Sequence, residues 1–312
     1  MVAQGSSLPS KAFLPRLRCF LKKPWSGKVQ SLTLRWVRVM LLPVRLPFGV
    51  WWLAEDDWLG KAILCGGLEN AERSLVERIL QPGMTVLDIG AHHGFYTLLA
   101  SRKVGDGGRV LAFEPSPRER RKLLRHLRLN RCTNVQVEAC ALGSAQGESD
   151  LFVVIGYETG FNSLRPPDTP EPTQRVRVTV STLDACLERE KMERVDFVKL
   201  DVEGGEMEVL KGAAGLLARR PRPFLLCEVQ EIRTRPWGYA AREIIEFLRS
   251  RGYRWFAPQP EGSLMPVPAD QVEFDGNFVA VPDERMHQVS LATKTRVTDS
   301  SVIGPLEYVA PH

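Results

Sequence analysis

Residues 86–96 read VLDIGAHHGFY, and the reading of this stretch decides the fold. Met84–Ile89 is a short, nearly all-apolar run set between Pro82-Gly83 and Gly90, the pattern of a strand buried on both faces. From Phe95 to Lys103 the apolar spacing becomes helical. A strand that turns through glycine into a helix opens a doubly wound α/β sheet, where ligands bind beyond the carboxyl ends of the strands. The turn is D-x-G-x-x-x-G, not the G-x-G-x-x-G that seats a pyrophosphate on a helix N-terminus. Asp88 would repel a pyrophosphate but accepts hydrogen bonds from an amino group. The turn therefore suits a zwitterionic or cationic ligand such as S-adenosylmethionine. The plainer alternative is a tight strand–helix turn with a capping Asp.

Working outward, the rhythm repeats. Arg109–Phe113 reads as a second strand. Ser116 and Pro117 mark a helix start, and that helix runs to about Asn130. Asn134–Ala139, Val195–Leu200 and Pro223–Val229 read as further strands, with one helix from about Glu206 to Leu217. Ala240–Arg251 is a helix closed by Gly252, and Tyr253–Phe256 and Phe274–Val281 complete the set. Strands alternating with helices predict a mostly parallel sheet covered on both faces. One insertion breaks the rhythm. Asp150–Ile155 and Arg175–Ser181 alternate polar and apolar residues like a hairpin with one wet face. The Gly- and Pro-rich segment 157–173 between them is expected to lie over a site.

Acidic residues gather where the strands end. Glu114 closes the second strand 20 residues after Gly94, an offset at which a carboxylate can take both hydroxyls of a ribose. Asp201, Glu203 and Glu206 follow the fourth strand, and Glu228 ends the fifth. Carboxylates there can take a proton from a hydroxyl, orient an acceptor or hold a metal. Glu206 is expected to cap a helix N-terminus instead. Asp201 and Glu228 sit at buried strand ends, where an unpaired charge is costly, so a ligand or partner is expected for both. No His, Cys or Asp spacing matches a metal motif, so a metal held by Asp201 and Glu228 stays an open alternative without support from spacing, and none is assigned.

Charge is unevenly divided. The 312 residues carry 42 basic and 37 acidic side chains, a formal net charge of +5. Nine of the basic residues and no acidic one lie in residues 1–54. That leaves 33 basic against 37 acidic in the rest, so a mildly acidic body carries a basic leader. The total is thus no nucleic-acid signal. The six cysteines show no CxxC pair and read as scattered reduced thiols, which favours a cytosolic compartment. The most apolar stretch, Val39–Leu53, is interrupted by Arg45, Pro43, Pro47 and Gly49, and neither a membrane span nor a signal peptide is expected.

With these residues in view, the chain from about Leu53 to Pro282 resembles the FkbM family of class I S-adenosylmethionine-dependent methyltransferases. The resemblance rests on ordered blocks: Gly66-Gly67 with Glu69; residues 86–96; Ala112–Pro117; Leu129-Asn130 with Asn134-Val135; Ala141–Gly143; Asn162–Leu164; Leu183-Asp184; and Val195–Glu206. It implies a Rossmann-like, mostly parallel seven-stranded sheet with an inserted hairpin. Residues 1–52 then form a basic amphipathic or disordered extension, 53–285 the methyltransferase domain and 286–312 a tail. It also implies that Asp88, Gly90 and Gly94 line the methionine end of S-adenosylmethionine, with Glu69, Ala91, His92 and Tyr96 bordering it. Glu114 would hold the ribose, Pro115 and Ser116 would lie beside the adenine, and Ala141 and Leu142 would flank it. Asp201 would face the sulfonium and the acceptor. The chain departs from the family at His92-His93, where Asn and a second residue other than His are usual, and at Gly205, where Ala is common.

The expected reaction is O-methylation of a sugar or natural-product hydroxyl, an acceptor class implied by the resemblance alone. Such a hydroxyl is a weak nucleophile near pH 7 and needs a base, for which Asp201, Glu203, Glu228 and His93 are the candidates. His93 can equally pack on the following helix and bond a backbone carbonyl. The basic run Arg118–Arg131 raises an RNA methyltransferase as a rival. Its Arg and Lys residues recur at three and four, with Leu123, Leu124, Leu127 and Leu129 inward, as in a solvated amphipathic helix. The Asp201-Val-Glu-Gly block also lacks the Asp/Asn-Pro-Pro-aromatic pattern common in base-amine methylation, so nucleic acid is not the expected partner. A catalytically idle binding protein is the other rival, opposed by intact Asp88, Glu114 and Asp201. The basic leader suits peripheral contact with the inner membrane face through residues 1–50, where lipid-linked glycans would be acceptors. The alternative is a disordered leader.

Overall fold

A computed structural model describes residues 42–289. Its central sheet begins at β3 (Thr85–Ile89), the strand expected from the opening run, and α3 (Phe95–Val104) follows through the Gly90 turn. β4 (Arg109–Phe113), β5 (Val135–Glu138), β9 (Phe197–Leu200) and β10 (Phe224–Gln230) lie parallel to it. β13 (Asp275–Pro282) pairs antiparallel with β10 and with β11 (Tyr253–Pro258). The order is β12-β11-β13-β10-β9-β3-β4-β5. Among the described residues the sheet therefore has eight strands rather than the expected seven. The addition is β12 (Leu264–Pro266), a three-residue edge strand too short to register as an apolar run.

Successive residues of each strand feed opposite faces, as the period of two requires. Val86 and Val110 pack with Leu75 of α2 (Asn70–Ile79) and Leu99 of α3. Leu87 and Leu111 pack on the other face with Leu210 of α6 (Glu206–Lys211) and Ile244 and Leu248 of α9 (Ala241–Arg249). Burial on both sides explains why these strands read as apolar throughout. The expected single helix over 206–217 is two helices, α6 and α7 (Ala214–Ala218). They break at Gly212, where a Cβ would stand 2.1 Å from the Gly143 carbonyl oxygen, and Asp184 caps α7 through the amides of Gly215 and Leu216.

The inserted hairpin is present as β7 (Gly147–Val154) and β8 (Thr173–Ser181), joined by β6 (Ala141–Leu142) into a separate three-stranded sheet. Its connecting segment lies over the carboxyl end of the main sheet. The expected extension does not end where the body begins. Residues 42–54 form an antiparallel hairpin, β1 (Leu42–Arg45) and β2 (Trp51–Ala54), with Leu46, Val50 and Trp52 buried. Trp52 stacks on His126 at 4.0 Å, and His126 Nε2 bonds the Leu53 amide. Residues 1–41, with most of the basic leader, and 290–312 lie outside the described residues. The expected tail at 286 begins inside the 3-10 turn Asp283–Gln288, whose Arg285 is buried.

The basic helix forms as α4 (Pro117–Leu129), but four of its six Arg and Lys side chains are engaged within the fold. Lys122 reaches Glu55 at 2.6 Å, Arg118 reaches Glu119 at 2.6 Å, and Arg120 donates to the carbonyls of Glu114 and Pro115. Leu129, expected inward, is 42% exposed; His126 is buried in the face that meets β2. Among the described residues no helix is long and apolar enough to cross a membrane.

Candidate active site

Strand register brings the site together. Asp88 on β3 pairs with Lys199 on β9, and Glu228 on β10 pairs with Asn277 on β13. Asp201 follows β9 directly. Four strands thus deliver polar side chains to one carboxyl edge whose interior is otherwise apolar.

Two cavities meet there. The smaller is lined by Phe113, Cys140, Ala141, Leu142, Leu151 and Trp237, with Glu114 and Pro115 at one side. An apolar slot with a carboxylate at its edge fits an adenosine, the adenine between side chains and the ribose on Glu114. The larger holds Glu69, Asp88, Tyr96, Lys199, Asp201 and Glu228, with the exposed Trp58 and Tyr157 at its lining. Gly90, His92, Gly160, Asp201 and Glu203 line both. A ligand with an apolar base and a charged tail would span the junction, with its middle at Gly90 and Asp201.

Gly90 makes that junction close. Its φ is +84°, and a Cβ there would stand 1.7 Å from the Asp201 carbonyl oxygen. Glu114 is fixed by two backbone donors: the His92 amide at 2.7 Å and the Ser116 amide at 2.8 Å. Each carboxylate oxygen keeps a lone pair for a ribose hydroxyl. Burial, with Glu119 nearby, pushes the Glu114 carboxyl up to about 8. Asp88 accepts the Thr97 hydroxyl, and burial raises it to about 6.

Several expected residues act differently from their sequence reading. Ser116 does not line the adenosine cavity; it is fully buried and holds Glu114 in place. Gly94 lines neither cavity. A Cβ there would stand 2.4 Å from Leu123, so its role is the packing of α3 on α4. Glu69 and Tyr96 bond to each other at the rim of the larger cavity. His92 is tied by its ring to the Thr159 carbonyl at 3.1 Å, which anchors the inserted segment. His93 is buried, with its ring nitrogens 3.8 Å from Asp57 and 4.0 Å from Glu119, not toward Asp201. Burial, with His92 and Lys122 close by, holds it well below the usual histidine range. This environment suits a neutral packed ring and not a base working near pH 7.

The carboxylates at Asp201 converge. Lys199 donates to Asp201 at 2.8 Å and to Asn277 at 3.1 Å. Burial opposes its charge, but Asp201, Glu69 and Glu228 outweigh that and raise its pKa. Glu203 pairs with Arg233 at 2.9 Å, whose guanidinium lies 3.7 Å over the Phe161 ring. Burial, then Asp201, pushes the carboxyls of Glu203 and Glu228 well above the usual range. Glu206, expected to cap its helix N-terminus, instead accepts the amides of Val202 and Gly204 in the preceding turn. Sequence reasoning missed Arg233, Asn277, Thr97 and Trp237; only Asn277, on a predicted strand at the same sheet edge, left a usable signal. His92, His93 and Glu119 also lie within ligand distance of one another. The two rings stack at 3.8 Å with 13° between planes, so their lone pairs run parallel and cannot meet on one ion.

The strand order, with an apolar and an acidic cavity meeting at its carboxyl edge, fits a class I, Rossmann-like methyltransferase architecture. The profile of the Methyltransferase FkbM domain matches residues 88–255, more than half of the chain. The chain belongs to the FkbM methyltransferase family, and its domain is of the S-adenosylmethionine-dependent type. It is 31% identical over 147 residues to Methyltransferase 1 of Beauveria bassiana, covering 41% of this chain and 57% of that protein. It is 38% identical over 76 residues to ribosomal RNA large subunit methyltransferase E of Alkalilimnicola ehrlichii, covering 22% of this chain and 36% of that protein. Both matches thus span less than two thirds of the relative. An O-methyltransferase from Bacillus cereus solved with SAH is 14% identical, with a TM-score of 0.42, over 86% of this chain and 96% of that one. That likeness adds nothing to a fold already read from the strand order.

Proposed function

We propose that the protein transfers a methyl group from S-adenosylmethionine to a hydroxyl of a sugar or natural product. The observation that carries this is the carboxylate group at Asp201, Glu203 and Glu228, beside the junction where the sulfonium would sit. The acceptor hydroxyl enters the larger cavity past Trp58 and Tyr157, and its proton passes to this group. Glu203 Oε2 and Glu228 Oε2 both lack a hydrogen-bond partner, but Glu203 has the Arg233 ion pair, and among the described residues Glu228 has none. The hydroxyl oxygen then attacks the methyl carbon as the carbon–sulfur bond breaks, and the electron pair stays on sulfur. Positioning in line supplies much of the rate. RNA is a poorer acceptor in this reading, because Arg118, Arg120 and Lys122 are engaged within the fold. A methyl-transfer screen with labelled cofactor over glycans, glycolipids, small alcohols and RNA tests it. A glycan or small-alcohol signal is expected to fall at least about 100-fold in Asp201→Asn. Transfer to RNA alone, or full activity in that variant, would remove the reading.

We also propose that residues 1–50 attach the protein to an anionic inner membrane face, where lipid-linked glycans are at hand. Eight of the nine basic leader residues precede Leu42, interleaved with apolar ones. Full-length protein is expected to pellet with anionic liposomes and a chain lacking 1–41 to remain in solution. Equal pelleting would end the idea.

A further inference from the structure

Asp201, Glu203 and Glu228 gather more negative charge than their protein partners return. One oxygen of each lies within 4.8 Å of the other two. Lys199 donates to Asp201 Oδ2 at 2.8 Å, whereas Arg233 Nε lies 2.9 Å from Glu203 Oε2 as an ion pair without hydrogen-bond geometry. Each of these carboxylates keeps a second oxygen for another partner. Glu228 has neither cation as a direct partner. Its carboxylate is buried, and no donor reaches Oε2. A buried oxygen left in that state is costly, so the position calls for a positive ligand or a proton. The three residues also stand on firm supports. Asp201 follows β9, and Glu228 lies on the neighbouring β10. Glu203 is held at φ +56°, which non-glycine residues seldom adopt.

We infer that Asp201, Glu203 and Glu228 form an oxygen-donor site for one hard divalent cation, Mg²⁺ or Mn²⁺, at the acceptor end of the larger cavity. The inference rests on the methyl-transfer reading and deepens it. Three carboxylate oxygens without nitrogen or sulfur select Mg²⁺ or Mn²⁺ over softer metals, and leave positions for water and the acceptor oxygen. Lys199 and Arg233 orient the ligands by holding their outer oxygens. A hydroxyl bound to the ion releases its proton more readily. That proton goes to the Glu228 oxygen not engaged by the ion, and the methyl group then replaces it on the acceptor oxygen.

The test uses full-length protein stripped with chelator and titrated with Mn²⁺, following the resonance signal of the free ion. One saturable site per chain is expected, with competition by Mg²⁺. Glu228→Gln should weaken it at least about tenfold. Glu203→Gln should act in the same direction, and melting curves show that each variant is folded. No saturable site, or binding unchanged in the folded variants, overturns the inference. Calorimetry with S-adenosylmethionine under chelator separates the two levels. Cofactor binding without a Mn²⁺ site leaves methyl transfer standing and removes the cation, whereas absence of cofactor binding removes the methyl-transfer reading itself.

Discussion

Replacing Gly90 with alanine is expected to cost at least about 3 kcal/mol of stability and to reduce S-adenosylmethionine binding more than about 100-fold. Two causes add. The left-handed φ of +84° strains any residue with a Cβ, by about 1–3 kcal/mol. The added carbon would also stand 1.7 Å from the Asp201 carbonyl oxygen and 2.8 Å from its carbonyl carbon. Both are backbone atoms, so no side chain can turn aside. The ends of β3 and β9 must separate, and they are held by the Asp201 amide bonding the Ile89 carbonyl at 3.0 Å. Denaturant unfolding and calorimetry read the two effects. A Gly90→Ala protein with near-native stability and cofactor affinity would mean that the junction is not where the account puts it.

The second large effect belongs to Glu114. Two charge-assisted hydrogen bonds to a ribose, each worth about 1.5–3 kcal/mol, predict a loss of 100-fold or more in cofactor affinity for Glu114→Ala. The pH dependence is the sharper signature. With a free-state pKa of about 8, the carboxyl must lose its proton before it can accept from both hydroxyls. Affinity is therefore expected to rise roughly tenfold per pH unit up to about pH 8 and then to level off. Glu114→Gln should flatten that slope. The sign for stability is the reverse. A carboxyl raised in the folded state stabilises the cofactor-free chain below the ordinary Glu pKa, and that contribution is lost as pH rises through about 8. A flat binding profile in the unmodified protein would contradict the assignment.

Much of this is legible in the sequence itself. β3, β4, β9 and β10 were legible because burial on two faces leaves uninterrupted apolar runs. Asp88, Gly90, Glu114 and Asp201 were legible because each stands at a strand end, where a short sequence window contains both the strand and its punctuation. What escaped depends on contacts distant in sequence. The 42–54 hairpin is shaped by Trp52 on His126, 74 residues later, and nothing near Trp52 announces it. The break at Gly212 comes from Gly143 on another element. Ser116 and Gly94 lie within the motif yet serve Glu114 and Leu123 rather than the cavity. The basic face of α4 looked solvated because its partners, Glu55 and Asp57, precede it by more than 60 residues.

The most direct measurement is a crystal structure of the protein with S-adenosylhomocysteine. The adenine is expected between Phe113 and Leu142, both ribose hydroxyls within hydrogen-bond distance of Glu114, and the sulfur at the Gly90–Asp201 junction facing Glu228. A cofactor bound elsewhere, or one whose ribose does not touch Glu114, would contradict it.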